Sequence, residues 1–217
     1  MPPFGFGLSI ANLRGGGAAP FVPTVLVTEN WAGSGLVNGK VPTTGGGTWA
    51  ASASMSYSGG FAGPGGQLFP TPTAYHSATY TDARFIGFVR PGATGPNQNQ
   101  PLYIYARGDV NNAVPSNCYY IACNSQTNSS TNGIVLYKRI SGVDTTLGTL
   151  DIYVQDQTVG LEVSGSAIKV YYNGTVAISV TDTAITTAGY WGFGLTYGEN
   201  GEDTGDSSIG AITIQTA

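Results

Sequence analysis

The chain predicts an all-β sandwich, because it withholds the side chains that clothe helices and supplies those that fill strands and turns. Asp, Glu, Lys and Arg make up only 9% of its 217 residues, against about 25% in ordinary globular chains. Solvent faces of helices are built mostly from Glu, Lys and Arg, so exposed helices have little to be made from here. In their place stand 33 Gly and 13 Tyr with frequent Thr, the composition of short strands closed by glycine-centred turns. Hydrophobic residues reach 41%, enough to bury a sizeable core, which excludes a disordered chain.

Residues 1–22 read as an arm, and 23–217 as the sandwich. Phe4, Phe6, Leu8 and Ile10 are spaced by small or polar residues, Leu13 follows, and Gly15-Gly16-Gly17-Ala18-Ala19-Pro20 makes a flexible joint. Glycine loses the most backbone entropy on ordering, so such a stretch cannot fold alone. Its apolar residues call for cover, either from a neighbouring subunit or protein or from its own domain.

From Val25 onward, apolar runs alternate with Gly, Pro, Asn and Asp clusters. Val25-Leu26-Val27 opens the series. Phe85-Ile86-Gly87-Phe88-Val89-Arg90 reads as a buried strand ended by Pro91-Gly92, and Leu102-Tyr103-Ile104-Tyr105-Ala106-Arg107 alternates up to Gly108-Asp109. Tyr119–Cys123 and Ile134–Arg139 flank a polar loop. Val159–Val163 and Ala167–Tyr172 follow, and Asn173-Gly174 is the strongest hairpin signal, since a type I′ turn needs positive φ at both centres. Thr175–Val180 is its partner strand, and Tyr190–Leu195 and Ser208–Ile214 close the chain. No helical period runs longer than two turns.

A net charge of −4 and a pI near 4.7 leave no electrostatic footprint for nucleic acid or an anionic membrane. No window approaches the ~18 apolar residues of a spanning helix. The first ten residues lack the basic start of a signal peptide, so export by the common route is not expected. Cys118 and Cys123 lie five apart, which puts them on opposite faces of a strand; a disulfide would need a loop there, and two reduced thiols is the simpler reading.

The run from Val135-Leu136-Tyr137-Lys138-Arg139, through Gly160–Gly174, to Ala188-Gly189-Tyr190-Trp191-Gly192-Phe193-Gly194 resembles the concanavalin A-like lectin/glucanase jelly roll in its laminin-G-like variety. Trp31, Gly45-Gly46-Gly47-Thr48-Trp49 and the terminal Ile209–Ile214 fit the same pattern, in which the first and last strands pair. The resemblance spans roughly 25–217 and implies two antiparallel sheets. It speaks to fold more than to function.

Little in the chain answers to catalysis. Retaining glucanases need two carboxylates about 5–5.5 Å apart, and the Glu-x-Asp-x-x-Glu run of that family has no counterpart here. Asp151 and Asp156 fall on opposite faces and read as exposed turn residues, and Gly160 separates Asp156 from Glu162. His76, the one histidine, has no nucleophile elbow near it and reads as a hydrogen-bonded surface or half-buried residue. One His and two Cys do not make a zinc set. No enzyme activity is expected.

Glu199, Glu202, Asp203 and Asp206 crowd one Gly-flexed loop. Hard oxygen ligands there suit Ca²⁺, and a solvated loop is the plainer alternative; otherwise no cofactor is expected. Carbohydrate binding needs exposed aromatics and planar polar groups. Tyr75, Tyr80 and Tyr197, with Asn97-Gln98-Asn99-Gln100, are the residues read as exposed, while the remaining strand tyrosines read as core or cross-strand packing.

Sandwiches of this variety behind short Gly- and Phe-rich arms resemble bacteriophage virion proteins of head decoration, fibre or tail. That resemblance implies a structural, non-enzymatic protein located in the virion and anchored through Phe4, Phe6, Leu8, Ile10 and Leu13. It implies other virion proteins as partners and a homo-oligomer, three-fold by the habit of that class, with an outward face open to host glycans. A stand-alone carbohydrate-binding lectin module is the alternative.

Overall fold

The computed structural model describes residues 22–52, 55–64, 71–94, 98–125, 133–196 and 206–217. The arm residues Phe4, Phe6, Leu8, Ile10 and Leu13 lie outside them. Along the described residues run β1 (Val25–Glu29), β2 (Ser34–Leu36), β3 (Trp49–Ala51), β4 (Met55–Ser58), β5 (Phe61–Pro64) and β6 (Thr73–Tyr80). Then come β7 (Ala83–Arg90), β8 (Gly92–Thr94), β9 (Gln98–Gln100), β10 (Leu102–Gly108), β11 (Cys118–Asn124) and β12 (Gly133–Ile140). The last six are β13 (Val143–Leu150), β14 (Gln157–Ser164), β15 (Ala167–Tyr172), β16 (Thr175–Thr181), β17 (Gly189–Gly194) and β18 (Ser208–Thr216). No helix occurs among the described residues.

Two antiparallel sheets face each other. One has seven strands in the order β13-β12-β11-β10-β17-β6-β3, and the other nine, in the order β16-β15-β14-β7-β18-β5-β4-β2 with β1 also on β18. β1 pairs with β18 through Val27↔Ile214 and Thr28↔Thr213, so the first and last strands meet as expected. The hairpin between β15 and β16 turns at Asn173 and Gly174 with φ of 49° and 81°, the left-handed pair its sequence called for.

Strand alternation sends one set of side chains from each sheet into a shared core. Phe85 and Val89 of β7, Leu161 of β14 and Ile212 of β18 meet Ile104 of β10, Ile121 of β11 and Trp191 and Phe193 of β17. Trp31, Trp49 and Phe193 pack with ring centroids 5.6–5.8 Å apart. Trp31 sits at φ 53°, a costly conformation for a bulky residue. Glu29 holds it there: Oε1 accepts the backbone N–H of Asn30 and of Trp31 at 2.9 and 2.8 Å, and Lys40 Nζ closes the pair at 2.9 Å. The Trp31 indole N–H then donates to the Gly210 carbonyl at 2.8 Å, stitching the β1–β2 turn to β18.

Charge is scarce and fully used as pins. All seven described Lys and Arg lie within ion-pair distance of a carboxylate. Arg107 is the deepest. Its guanidinium donates to the carbonyls of Thr81, Ile185 and Gly165 and to Asp82, drawing the β6–β7 turn, the β14–β15 turn and the 182–188 segment onto the end of β10. Cys118 and Cys123 are both free and buried on opposite faces of β11, as their odd spacing predicts. Asp156 lies in a turn at φ 54° and pairs with Arg90 at 2.6 Å, and Asp151 is exposed.

Candidate functional site

The seven-stranded sheet has a second face, turned away from the core, and tyrosines tile it. Register puts Tyr75 of β6, Gly192 of β17, Tyr105 of β10, Tyr120 of β11, Tyr137 of β12 and Thr146 of β13 in one row across six strands. Tyr103 stands two residues from Tyr105 on the same face. Neighbouring rings lie close: Tyr75–Tyr105 at 5.7 Å, Tyr105–Tyr120 at 5.6 Å, and Tyr120–Tyr137 stacked at 4.9 Å. Tyr103 stacks beside Tyr105 at 6.0 Å.

Gly192 makes the row continuous. A Cβ there would stand 2.1 Å from the Ala74 carbonyl oxygen and 2.5 Å from the Tyr75 ring, so only a residue without a side chain lets the Tyr75 ring cross β17 towards Tyr105.

Burial grades along the row. Tyr75, Tyr105 and Tyr120 are buried, while Tyr103, Tyr137 and Tyr190 are half-buried and form the accessible margin. Burial pushes the Tyr75 and Tyr105 phenols well above the usual tyrosine value and raises Tyr103 too. Burial likewise lifts the Cys118 thiol to about 12, which makes it an inert thiol rather than a nucleophile.

One charged pair borders the row. Arg139 of β12 grips Asp144 of β13 in bidentate fashion, Nε–Oδ1 2.7 Å and Nη2–Oδ2 2.8 Å, and its guanidinium lies 5.0 Å over the Tyr120 ring. Those hydrogen bonds hold the Asp144 carboxyl below the usual carboxylate range. The result is a planar, doubly charged but net-neutral group set against aromatic rings.

Three residues read from sequence as exposed fare differently. Tyr75 is fully buried, which corrects the expectation: β6 alternates, and Tyr75 points into the tyrosine row instead of solvent. Tyr80 is half-buried against the core, with its ring stacked on His76 at 6.1 Å. Tyr197 lies outside the described residues, as do Asn97, Glu199, Glu202 and Asp203. Gln100 is buried. Asp206 is described, but with its three companions outside the described residues the acidic loop supports no account of Ca²⁺ binding. Among the described residues no three His, Cys, Asp or Glu cluster as metal ligands would.

His76 is buried rather than at the surface, hydrogen-bonded to the Gly46 carbonyl at 2.8 Å with its pKa lowered by burial. The signal that sequence reading missed was a tyrosine on each of β10, β11 and β12 that strand register sets side by side. Tyr103, Tyr105, Tyr120 and Tyr137 read as core or cross-strand packing, and the structure packs them against one another on the outer face.

No family description and no curated protein matches the sequence. Solved structures do match. The carbohydrate-binding module CBM66 from Bacillus subtilis aligns at 15% identity, covering 87% of this chain and 98% of its own, with a TM-score of 0.53. The VIP36 exoplasmic/lumenal domain in its Ca²⁺/Man2-bound form aligns at 12% identity, covering 90% and 89%, with a TM-score of 0.61. A LamA variant from Z. galactanivorans, solved with laminaritriose and laminaritetraose, aligns at 12% identity, covering 89% and 99%, with a TM-score of 0.58. At such identities the likeness establishes the fold alone: this chain is a concanavalin A-like jelly roll of two antiparallel sheets.

Proposed function

We propose that the protein binds carbohydrate, without cleaving it, on the outer face of its seven-stranded sheet. The observation that carries the reading is the tyrosine row with its half-buried margin, Tyr103, Tyr137 and Tyr190, beside the Arg139–Asp144 pair. Sugar rings present apolar C–H faces that stack on aromatic rings and equatorial hydroxyls that hydrogen-bond to planar charged groups. Support also comes from the fold it shares with a carbohydrate-binding module and with the VIP36 exoplasmic/lumenal domain in its Ca²⁺/Man2-bound form. The net-neutral pair favours an uncharged glycan. Cleavage is left out because Asp144 is committed to Arg139, whereas a retaining glucanase needs two carboxylates about 5–5.5 Å apart. A glycan array with the purified chain tests the reading. Binding that falls at least tenfold in Tyr137→Ala supports it; a blank array, or binding indifferent to that change, sinks it.

Residence in a bacteriophage virion, as a homo-oligomeric structural protein, is a second reading that rests on the sequence of residues 1–22 and stands behind the first. It expects that deleting residues 1–17 leaves a folded sandwich that no longer assembles. Light scattering on both chains decides it, since equal masses would remove the arm as an assembly device.

A further inference from the structure

Beyond the Arg139–Asp144 pair, at the ends of the same strands, lies an open cleft of about 380 Å³ between the β10–β11 connection, Ile140 and the 184–188 segment. It begins where the tyrosine face stops: Asp109 follows Gly108, the last residue of β10, Asn117 precedes Cys118, and Ile140 follows Arg139. Three features fix what it can hold.

The first is an uncompensated carboxylate. Every described cation is already paired, and Asp109 has none of them. Its oxygens accept instead from backbone N–H of Ser116 at 3.0 Å and of Asn117 at 3.1 Å, and from the Asn117 amide at 2.7 Å. Three N–H donors hold the carboxylate in place, and none of them carries a charge. A carboxylate offers about four lone-pair directions, so one remains for a ligand.

The second is the wall beneath it. Arg107 lines the cleft, but its guanidinium is buried and turned to Thr81, Ile185, Asp82 and Gly165, so among the described residues no exposed cationic group lines the cleft. The third is the rim. Exposed Thr186 and Thr187 bring hydroxyls, while Ile140, itself 38% exposed, offers an apolar surface. Hydroxyls around an apolar patch match a pyranose ring better than a bare alkyl chain.

We infer that this cleft takes a hexose unit bearing a protonated amine, with Asp109 as its counter-ion. The inference rests on the carbohydrate reading above and adds the class of sugar at the end of the bound chain. Its test uses monosaccharide, so that it stands or falls apart from the tyrosine face. D-glucosamine is titrated into the full ¹⁵N-labelled chain, with D-glucose, N-acetyl-D-glucosamine and n-butylamine as controls.

Saturable shifts are expected at the amides of Asp109, Asn117 and Thr187, at least fivefold weaker with each control. Asp109→Asn is expected to weaken binding about tenfold. Because Asp109 also organises residues 109–117, Thr187→Leu supplies a second variant that fills the cleft and leaves that network intact; it should abolish the shifts. The inference is overturned by no saturable shift, by N-acetyl-D-glucosamine or n-butylamine binding as well as D-glucosamine, or by a folded Thr187→Leu chain that binds normally. Shifts at the cleft together with a blank array for oligosaccharides would keep this inference and remove the tyrosine face.

Discussion

The outer faces of the two sheets solve the same problem in opposite ways. On the nine-stranded sheet, Glu162 of β14 is 3% exposed because three neighbours close over it. Arg84 Nε donates to it at 2.6 Å, Lys169 Nζ at 2.9 Å and the Tyr171 hydroxyl at 2.9 Å, with the Arg84 guanidinium 4.1 Å over the Tyr171 ring. On the seven-stranded sheet, the equivalent space is filled by aromatic rings leaning on each other. One face is protected by charge and the other by apolar area. A face made only to meet water has no need of six tyrosines, whereas a face that binds uncharged rings does.

The largest test of this contrast is Gly192→Val. Its new side chain would collide with backbone atoms of Ala74 and Tyr75, and backbone cannot move aside as a flexible side chain can. Overpacking of this kind costs about 3 kcal/mol or more, read as a collapse of the urea midpoint with the tyrosine face lost first. A midpoint within experimental error of the parent would mean the row is not tightly packed.

Next in size is Glu162→Gln, which weakens the charged face alone. Arg84 and Lys169 retain access to water, so a loss of roughly 1–2 kcal/mol is expected, not the larger penalty of a sealed pair. Glycan binding should be untouched, and a matching loss of binding would show that the faces are coupled.

The third test uses pH, and the two faces should fail at opposite ends of the scale. Burial works to raise the Glu162 carboxyl, but hydrogen bonds from Lys169, Tyr171 and Arg84 outweigh it, so its folded pKa lies below the ordinary value. Its contribution is present above about pH 4.3 and fades as pH falls through the folded value. Tyr75 and Tyr105 are the reverse: their folded pKa values are raised. Their contribution is complete below about pH 10 and is lost as pH climbs beyond it. Each face carries a smaller counter-example, since Asp144 is lowered on the tyrosine side and Tyr171 is raised on the charged side. In Glu162→Gln the acid limb of a melting-temperature profile should flatten, while the alkaline limb changes less, losing only what Glu162 adds at Lys169 and Tyr171. If the alkaline limb flattens instead, the assignment of the limbs is reversed.

These faces also mark how far the sequence could be read. Most strands from Phe85 onward were legible because apolar residues dominate them between clusters of Gly, Pro, Asn or Asp. Those near the start were not: β2, β4 and β5 carry Ser and Gly inside the strand, and β6 holds a buried His76 among Thr, Ser and Tyr. Missing β6 as a strand is what left Tyr75 looking exposed. β13 was hidden for a different reason, since Asp144-Thr145-Thr146 has the polarity of a loop and pairs only along one edge.

The period-two rule does place Tyr103 and Tyr105 on one face of β10. It cannot say which, because Leu102, Ile104 and Ala106 on the other face are as apolar. Only closure of the sandwich decides that the aliphatic set goes inward. The candidate site was therefore present in the sequence as a spacing and absent as a direction. The cleft was out of reach altogether, because residues 107–109, 117, 140 and 184–188 converge only once Arg107 has gathered their turns.

The position of β18 matters for the order of events when the chain is made. It lies between β7 on one side and β1 and β5 on the other, and it sends Ile209, Ile212 and Ile214 into the core. Until residue 216 has left the ribosome, the larger sheet stays split into β16-β15-β14-β7, β5-β4-β2 and a lone β1, and the smaller sheet has an incomplete layer to pack on. Pairing of β1 must wait for a strand nearly two hundred residues away, which marks a slow, late-closing folder. During that wait the unpaired edges of β1 and β7 are the stretch most in need of a chaperone.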